Sequence, residues 1–109
     1  MPTNYKVLGQ SNPSATTATT LYTVPSSTQT VVSTISVCNQ AGTAGTYRIA
    51  IRPDAESLAA KHYIAYDVSI SANDNHTYTI GATIDAADVI TIYASSTSIS
   101  FNAFGSEIS

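Results

Sequence analysis

The chain has 109 residues, a net charge of −3 and one cysteine; that length makes a single domain able to bury roughly two-thirds of its unfolded surface, with no need of a metal or disulfide to fold. Charged residues make up 10% of it, against about 25% in ordinary soluble domains. The four basic residues, Lys6, Arg48, Arg52 and Lys61, are scattered, which argues against nucleic acid as a partner, since that contact needs a concentrated basic patch.

No helix-length segment carries a sustained 3.6-residue apolar period. Short β-branched and aromatic runs recur instead, punctuated by Gly, Pro, Asn, Asp and Ser, as in an all-β domain. Tyr5 to Gly9 reads as a first strand, and Ser11 to Thr19 as a polar loop containing Pro13. Residues 1–19 thus read as an N-terminal strand and polar arm, with 20–109 as the sandwich of one overall domain. Leu21 to Val24 is a second strand, stopped by Pro25. Thr30 to Cys38 is a long strand that "NQAGTAG" turns. From Thr20 to Gly42 there is no charged residue at all.

Tyr47 to Arg52 alternates, with Tyr47, Ile49 and Ile51 on one side, until Pro53, which cannot donate to a ladder, ends it. "DAESLAAK" has helical propensity but spans only about two turns, so it reads as a helical turn or a loop. His62 to Ile70 is extended, with Ile64, Tyr66, Val68 and Ile70 on one face and Asp67 facing solvent. "SANDN" is a turn, because Asn and Asp tolerate left-handed backbone. His76 to Ile80 is a strand. "GATIDAAD" is a connection with one helical turn capped by Asp85. Val89 to Ala94 and Ile99 to Phe104 complete about eight short strands at sandwich-like spacing.

The fold class expected is therefore all-β, an antiparallel β-sandwich. A jelly roll and an immunoglobulin-like order both fit, though the Cys–Trp–Cys signature of the latter is missing, as there is no Trp. The predicted core is Leu21, Val31, Ile35, Val37, Tyr47, Ile49, Ile51, Ile64, Val68, Ile80, Ile90, Ile92 and Phe101.

The chemistry-bearing residues do not assemble into a reaction. His62 and His76 fall on separate strands with no Cys or carboxylate pair at metal-ligand spacing. Asp85 and Asp88 share a loop, but calcium asks for about six to eight oxygens, so a cap and a turn residue is the plainer reading. There is no Gly-x-Ser-x-Gly elbow and no phosphate loop. Cys38, ending an apolar run, reads as a small buried hydrophobe. The N-terminus, MPTNYKVLGQ, has no apolar core of the signal-peptide kind. The triplet Asn75-His76-Thr77 is then a chance match to a glycosylation site, and no run is long enough for a membrane span. We expect no enzyme, no catalytic residue, no cofactor and no bound metal.

Seven tyrosines remain. Amphipathic aromatics suit protein or sugar contact. Tyr47 and Tyr93 read as edge-of-core packing, and Tyr5, Tyr63 and Tyr66 as candidate interface residues.

The segments "LYTVP", "TVVSTISVCN", "YRIAIRP", "HYIAYDVSI" followed by "ANDN", and the closing "SFNAFGSEIS" resemble a family of small virion structural proteins of tailed bacteriophages, notably cyanophages and other phages of aquatic bacteria. The likeness runs from Tyr5 to the C-terminus. It implies a β-sandwich built into the particle, first as a capsid decoration (cement) protein bound to the major capsid protein, and second as a tail or fibre component that could display a glycan-binding surface. The expected partners are other virion proteins and further copies of this chain in a lattice, with neither nucleic acid nor membrane. The expected location is the virion, after synthesis in the host cytoplasm.

Overall fold

Eight β-rich runs become eight strands in a computed structural model that describes residues 2–109. They are β1 (Thr3–Ser11), β2 (Thr19–Thr23), β3 (Gln29–Asn39), β4 (Gly45–Arg52), β5 (Tyr63–Ile70), β6 (Asn75–Ile84), β7 (Val89–Ala94) and β8 (Ile99–Ile108). They form two four-stranded sheets, ordered β1-β8-β3-β6 and β2-β7-β4-β5.

Every pairing is antiparallel: β1 with β8, β2 with β7, β3 with β6 and β4 with β5, while β8 also lies beside β3 and β7 beside β4. The chain is one long hairpin with the β4–β5 connection at its apex, rolled up so that every other connection crosses between the sheets. That is the jelly-roll order. The immunoglobulin order, with the first two strands side by side in one sheet, does not form.

Of the segment 1–19, Met1 lies outside the described residues, and residues 2–19 do not stand apart from the sandwich. β1 runs the length of β8, Pro13 is buried, and the Thr16 N–H donates to the Ala94 carbonyl. That connection folds back with the Pro13 ring out of water and a main-chain donor paired on β7.

The interior is built from fully buried Val32, Ile35, Val37, Tyr47, Ile49, Ile70, Ile90, Ile92, Ile99 and Phe101. Tyr47 meets Phe101 edge-to-face, with ring centroids 6.2 Å apart. The expected core holds for Leu21, Ile35, Val37, Tyr47, Ile49, Ile90, Ile92 and Phe101. Val31, Ile51 and Val68 are only half-buried, and Ile64 and Ile80 are exposed.

Ile51 and Val68 still pack against the core; for Val31, Ile64 and Ile80 the cause is the β-bulge, which adds a residue and shifts the alternation to the other face. Ser33 is extra on β3 opposite β8, so Val32 and not Val31 enters the core. Across from it the β6 register slips over Ile80 and Gly81, and Gly81 takes φ +58°. On β5 two residues, Tyr66 and Asp67, lie between Ala65 and Val68, where β4 has only Arg48 between their partners Ile49 and Tyr47. The extra residue there includes Asp67, held at φ +50°. The single face expected for Ile64, Tyr66, Val68 and Ile70 is therefore broken between Tyr66 and Val68.

Residues 53–62 make two short 3₁₀ turns, Pro53–Ala55 and Ala60–His62, in line with the helical turn or loop expected there. Two further corrections are local. β6 continues to Ile84, so "GATI" is strand. The residues after it form a tight turn with Ala87 at φ +70° in place of a helical turn. Among the described residues no helix is long and apolar enough to cross a membrane.

Candidate functional site

The two outer faces of the sandwich differ in charge. In the sheet β1-β8-β3-β6, the only Lys, Arg, His, Asp or Glu residues are Lys6, His76 and Glu107. Glu107 and His76 engage the interior side, and Lys6, itself exposed, turns its ammonium to Glu107. Glu107 accepts the hydroxyl hydrogen of Tyr22 from the opposite sheet, and Lys6 pairs with Glu107 at 3.3 Å. His76 Nδ1 lies 2.7 Å from the hydroxyl of Tyr47, also of the opposite sheet.

The outward side chains of this sheet are consequently free of charge. Hydroxyls such as Thr34 and Ser36 alternate with apolar groups, of which Tyr5 is 85% exposed. Val7, Ile80 and Phe104 are exposed as well. Val7 sits directly opposite Phe104 in the ladder, so the apolar groups run across strands as a stripe. A shallow depression of about 360 Å³ opens between Tyr5, Val31 and Phe104, with Lys6 the one charged residue of its lining.

The Tyr22–Glu107 contact has electrostatic consequences. Burial, then the bond to Glu107, pushes the Tyr22 phenol up to about 12. That same hydrogen bond, aided by Lys6, holds the Glu107 carboxyl below its usual range.

The opposite sheet carries ionic and aromatic groups outward. The Arg48 guanidinium lies between two rings, 4.3 Å from the centroid of Tyr66 and 4.2 Å from that of Tyr93. It also donates to both carboxylate oxygens of Asp67, from Nε at 2.6 Å and from Nη2 at 3.3 Å. A cation clamped this way contributes rigidity more than net binding energy at a surface. Tyr63 meets Tyr66 edge-to-face at 4.8 Å. Together with Leu58, Ala59 and Ala60 they line a depression of about 600 Å³, in the size range of small-ligand sites, ~300–1,000 Å³.

The loop that forms the depression's other wall is pinned by His62. The ring is buried, Nδ1 accepts the Ala59 N–H at 3.0 Å, and Nε2 lies 3.1 Å from Glu56 Oε1. An acceptor at Nδ1 makes this the neutral Nε2–H tautomer, which donates to Glu56. That bond, followed by the charge of Lys61, holds Glu56 below the usual carboxylate range.

The remaining candidates have structural occupations. Asp88 accepts the N–H groups of Asp54 and Asp85 at 2.9 and 2.7 Å. Asp85 accepts the Ala86 N–H at 2.8 Å. Both carboxylates therefore hold turns, and among the described residues no three His, Cys, Asp or Glu side chains gather as a metal site would require. Cys38 is half-buried, on the alternation opposite buried Val37, and so does not join the core.

Of the three tyrosines marked from sequence, the fold brings Tyr63 and Tyr66 together and puts Tyr5 on the other sheet. Arg48 and Tyr93 were not marked. Their partnership depends on β4 lying between β5 and β7, which no local pattern encodes. The chain matches no known family model and no curated protein.

Proposed function

We propose that this protein is a non-enzymatic structural subunit of a bacteriophage virion, in the first place a capsid decoration protein that binds the major capsid protein and stabilises the head. The observation that carries the reading is the charge-free outer face of the β1-β8-β3-β6 sheet, set against an opposite sheet that carries the ionic groups. A repeated subunit must lie close to many neighbours, and like charge on the contact face would repel them. A hydroxyl-and-apolar face has no such penalty, and burying its apolar stripe favours contact. The segment resemblance to phage virion proteins supports the same conclusion. So does the absorption of the histidines and carboxylates into structural hydrogen bonds.

A second reading, a tail or fibre component with a sugar-binding surface, is favoured by one observation, the aromatic depression at Tyr63 and Tyr66. The deciding experiment is the copy number per purified particle, measured by quantitative mass spectrometry against the major capsid protein. Hundreds of copies are expected for a protein that tiles the head in closed symmetric repetition. A few copies, or a few tens, would overturn the decoration reading in favour of the tail. Absence from particles would overturn both.

A further inference from the structure

We infer that the depression between the 57–60 loop and strand β5 is a binding site for a neutral hexopyranose ring, with Tyr66 and Tyr63 as its aromatic floor. The inference deepens the sugar-displaying reading above and stands on the geometry of this site alone.

The first support is the bulge. Without the extra residue on β5, strict alternation would tie the side of Tyr66 to that of Val68 and Ile70, which turn inward. The bulge frees Tyr66 to stand outward, 57% exposed. The same bulge holds Asp67 in left-handed backbone, a conformation unfavourable for a residue other than glycine, and there its carboxylate reaches Arg48. One backbone irregularity thus turns an aromatic ring to solvent and supplies the anion that fixes the cation stacked on it. Bulges commonly re-aim side chains next to sites.

The second support is rigidity. Tyr93, Arg48 and Tyr66 form a three-layer stack locked by two Arg48–Asp67 hydrogen bonds. The core does not need this ring. An exposed aromatic held in one place before any partner arrives lowers the ordering cost of binding.

The third support is charge, which selects the ligand class. Arg48 is occupied by Asp67, and Glu56 by Lys61 at 3.5 Å and by His62. An ionic ligand would have to displace these pairs. A nucleotide would also bring phosphate to a face with no basic patch. What remains is a neutral molecule with a flat apolar side for an aromatic ring and a rim of hydrogen-bonding groups. A hexopyranose presents C–H bonds on one face and hydroxyls around its edge. The loop's own hydrogen bonds use the N–H groups of Glu56, Ala59 and His62, and its residues Leu58, Ala59 and Ala60 line the depression beside the two tyrosines.

The test is a ¹H–¹⁵N NMR titration of the full chain with the methyl α-glycosides of glucose, galactose and mannose, with N-acetylneuraminic acid and AMP as charged comparators. At least one neutral glycoside is expected to shift amides within 57–66, saturating with a roughly millimolar Kd as suits a single ring. Tyr66→Ala, at an exposed position that the fold tolerates, should weaken binding about fivefold or more, the scale of one aromatic contact. Tyr5→Ala on the far sheet should leave it unchanged. Arg48→Met, a test of positioning, should weaken binding less than Tyr66→Ala and broaden the Tyr66 ring signals. The inference is overturned if no neutral glycoside shifts these amides, if Tyr66→Ala binds as the wild type does, or if the charged comparators bind better. Tyr66→Ala should still incorporate into particles at normal copy number, so failure here and failure of the virion reading are separate results.

Discussion

Asn39 ends β3 at the point where two turns converge, and replacing it should loosen that whole end of the sandwich. The residue is 1% exposed. Its amide nitrogen donates to the carbonyls of Thr43, Ile70 and Ser71 at 3.0, 3.3 and 3.2 Å, and its oxygen accepts the Ala41 N–H at 3.0 Å. An NH₂ group has two hydrogens for these three acceptors, so one of them is shared. In Asn39→Ala the contact to the Ile70 carbonyl is lost in a buried setting, while the groups nearer the surface can turn to water. One under-satisfied buried group costs about 1–3 kcal/mol and each remaining lost bond roughly 1 kcal/mol net; allowing for solvent rescue, the expected destabilisation is about 2–4 kcal/mol. A domain of this length holds only ~5–16 kcal/mol in all, and Tm should fall by roughly 10–25 °C. Urea unfolding followed by far-UV circular dichroism measures the change, with the m-value unaltered because the core surface is the same. A loss under about 1 kcal/mol would refute the reasoning, since it would mean the network contributes no more than an average single bond. Asn39→Asp adds a check on sign. Its ionised carboxylate would face three carbonyl oxygens, so the fold would favour the protonated form and raise its pKa. Stability of that variant should therefore be greatest at acid pH and fall as pH rises through the raised value. A pH profile parallel to that of the wild type would sink this account.

Gly105 lies where a Cβ would land on the Val31 carbonyl oxygen; Gly105→Ala should cost roughly 3 kcal/mol or more, because backbone and not a side-chain tip must move, and a neutral result by thermal melting would contradict the close approach of β8 to β3. Glu107 is held below the usual carboxylate value of 4.5, so the stability it contributes is complete above that value and lost as pH falls through the depressed one. Wild type should accordingly lose more stability between about pH 5 and pH 3 than Glu107→Gln. Tyr22, raised to about 12, gives the opposite sign: its contribution is complete below pH 10 and lost as pH rises toward the raised value, a loss that Tyr22→Phe should not show. Val7→Lys and Thr34→Glu on the uncharged face should leave the melting temperature within a few degrees, as surface changes do. Each should reduce incorporation into particles; normal copy number for both would remove that face from the contact.

The positions of the strands were readable because alternation, β-branched content and turn residues are local. Pro25, Pro53 and the "SANDN" turn mark strand ends without reference to any partner. The poverty of charge was equally plain, and with it the absence of a basic footprint. Inner and outer residues were readable only up to each bulge. Ser33, Asp67 and Gly81 shift the alternation, and a bulge exists only relative to the strand alongside, so Val31, Ile64 and Ile80 look like core residues in isolation. The pairing of β1 with β8 joins the two ends of the chain, and nothing within either strand names the other. That rolled pairing sends the ionic groups of the β1-β8-β3-β6 sheet inward and leaves its outer face uncharged. It also stacks Arg48 between Tyr66 and Tyr93, residues on three different strands. The sequence by itself determined an all-β, weakly charged domain, because those properties reside in short-range periodicity and composition. Which face is neutral, which tyrosines meet and which depression they line were decided by tertiary structure, because each depends on register between strands that are distant in the chain.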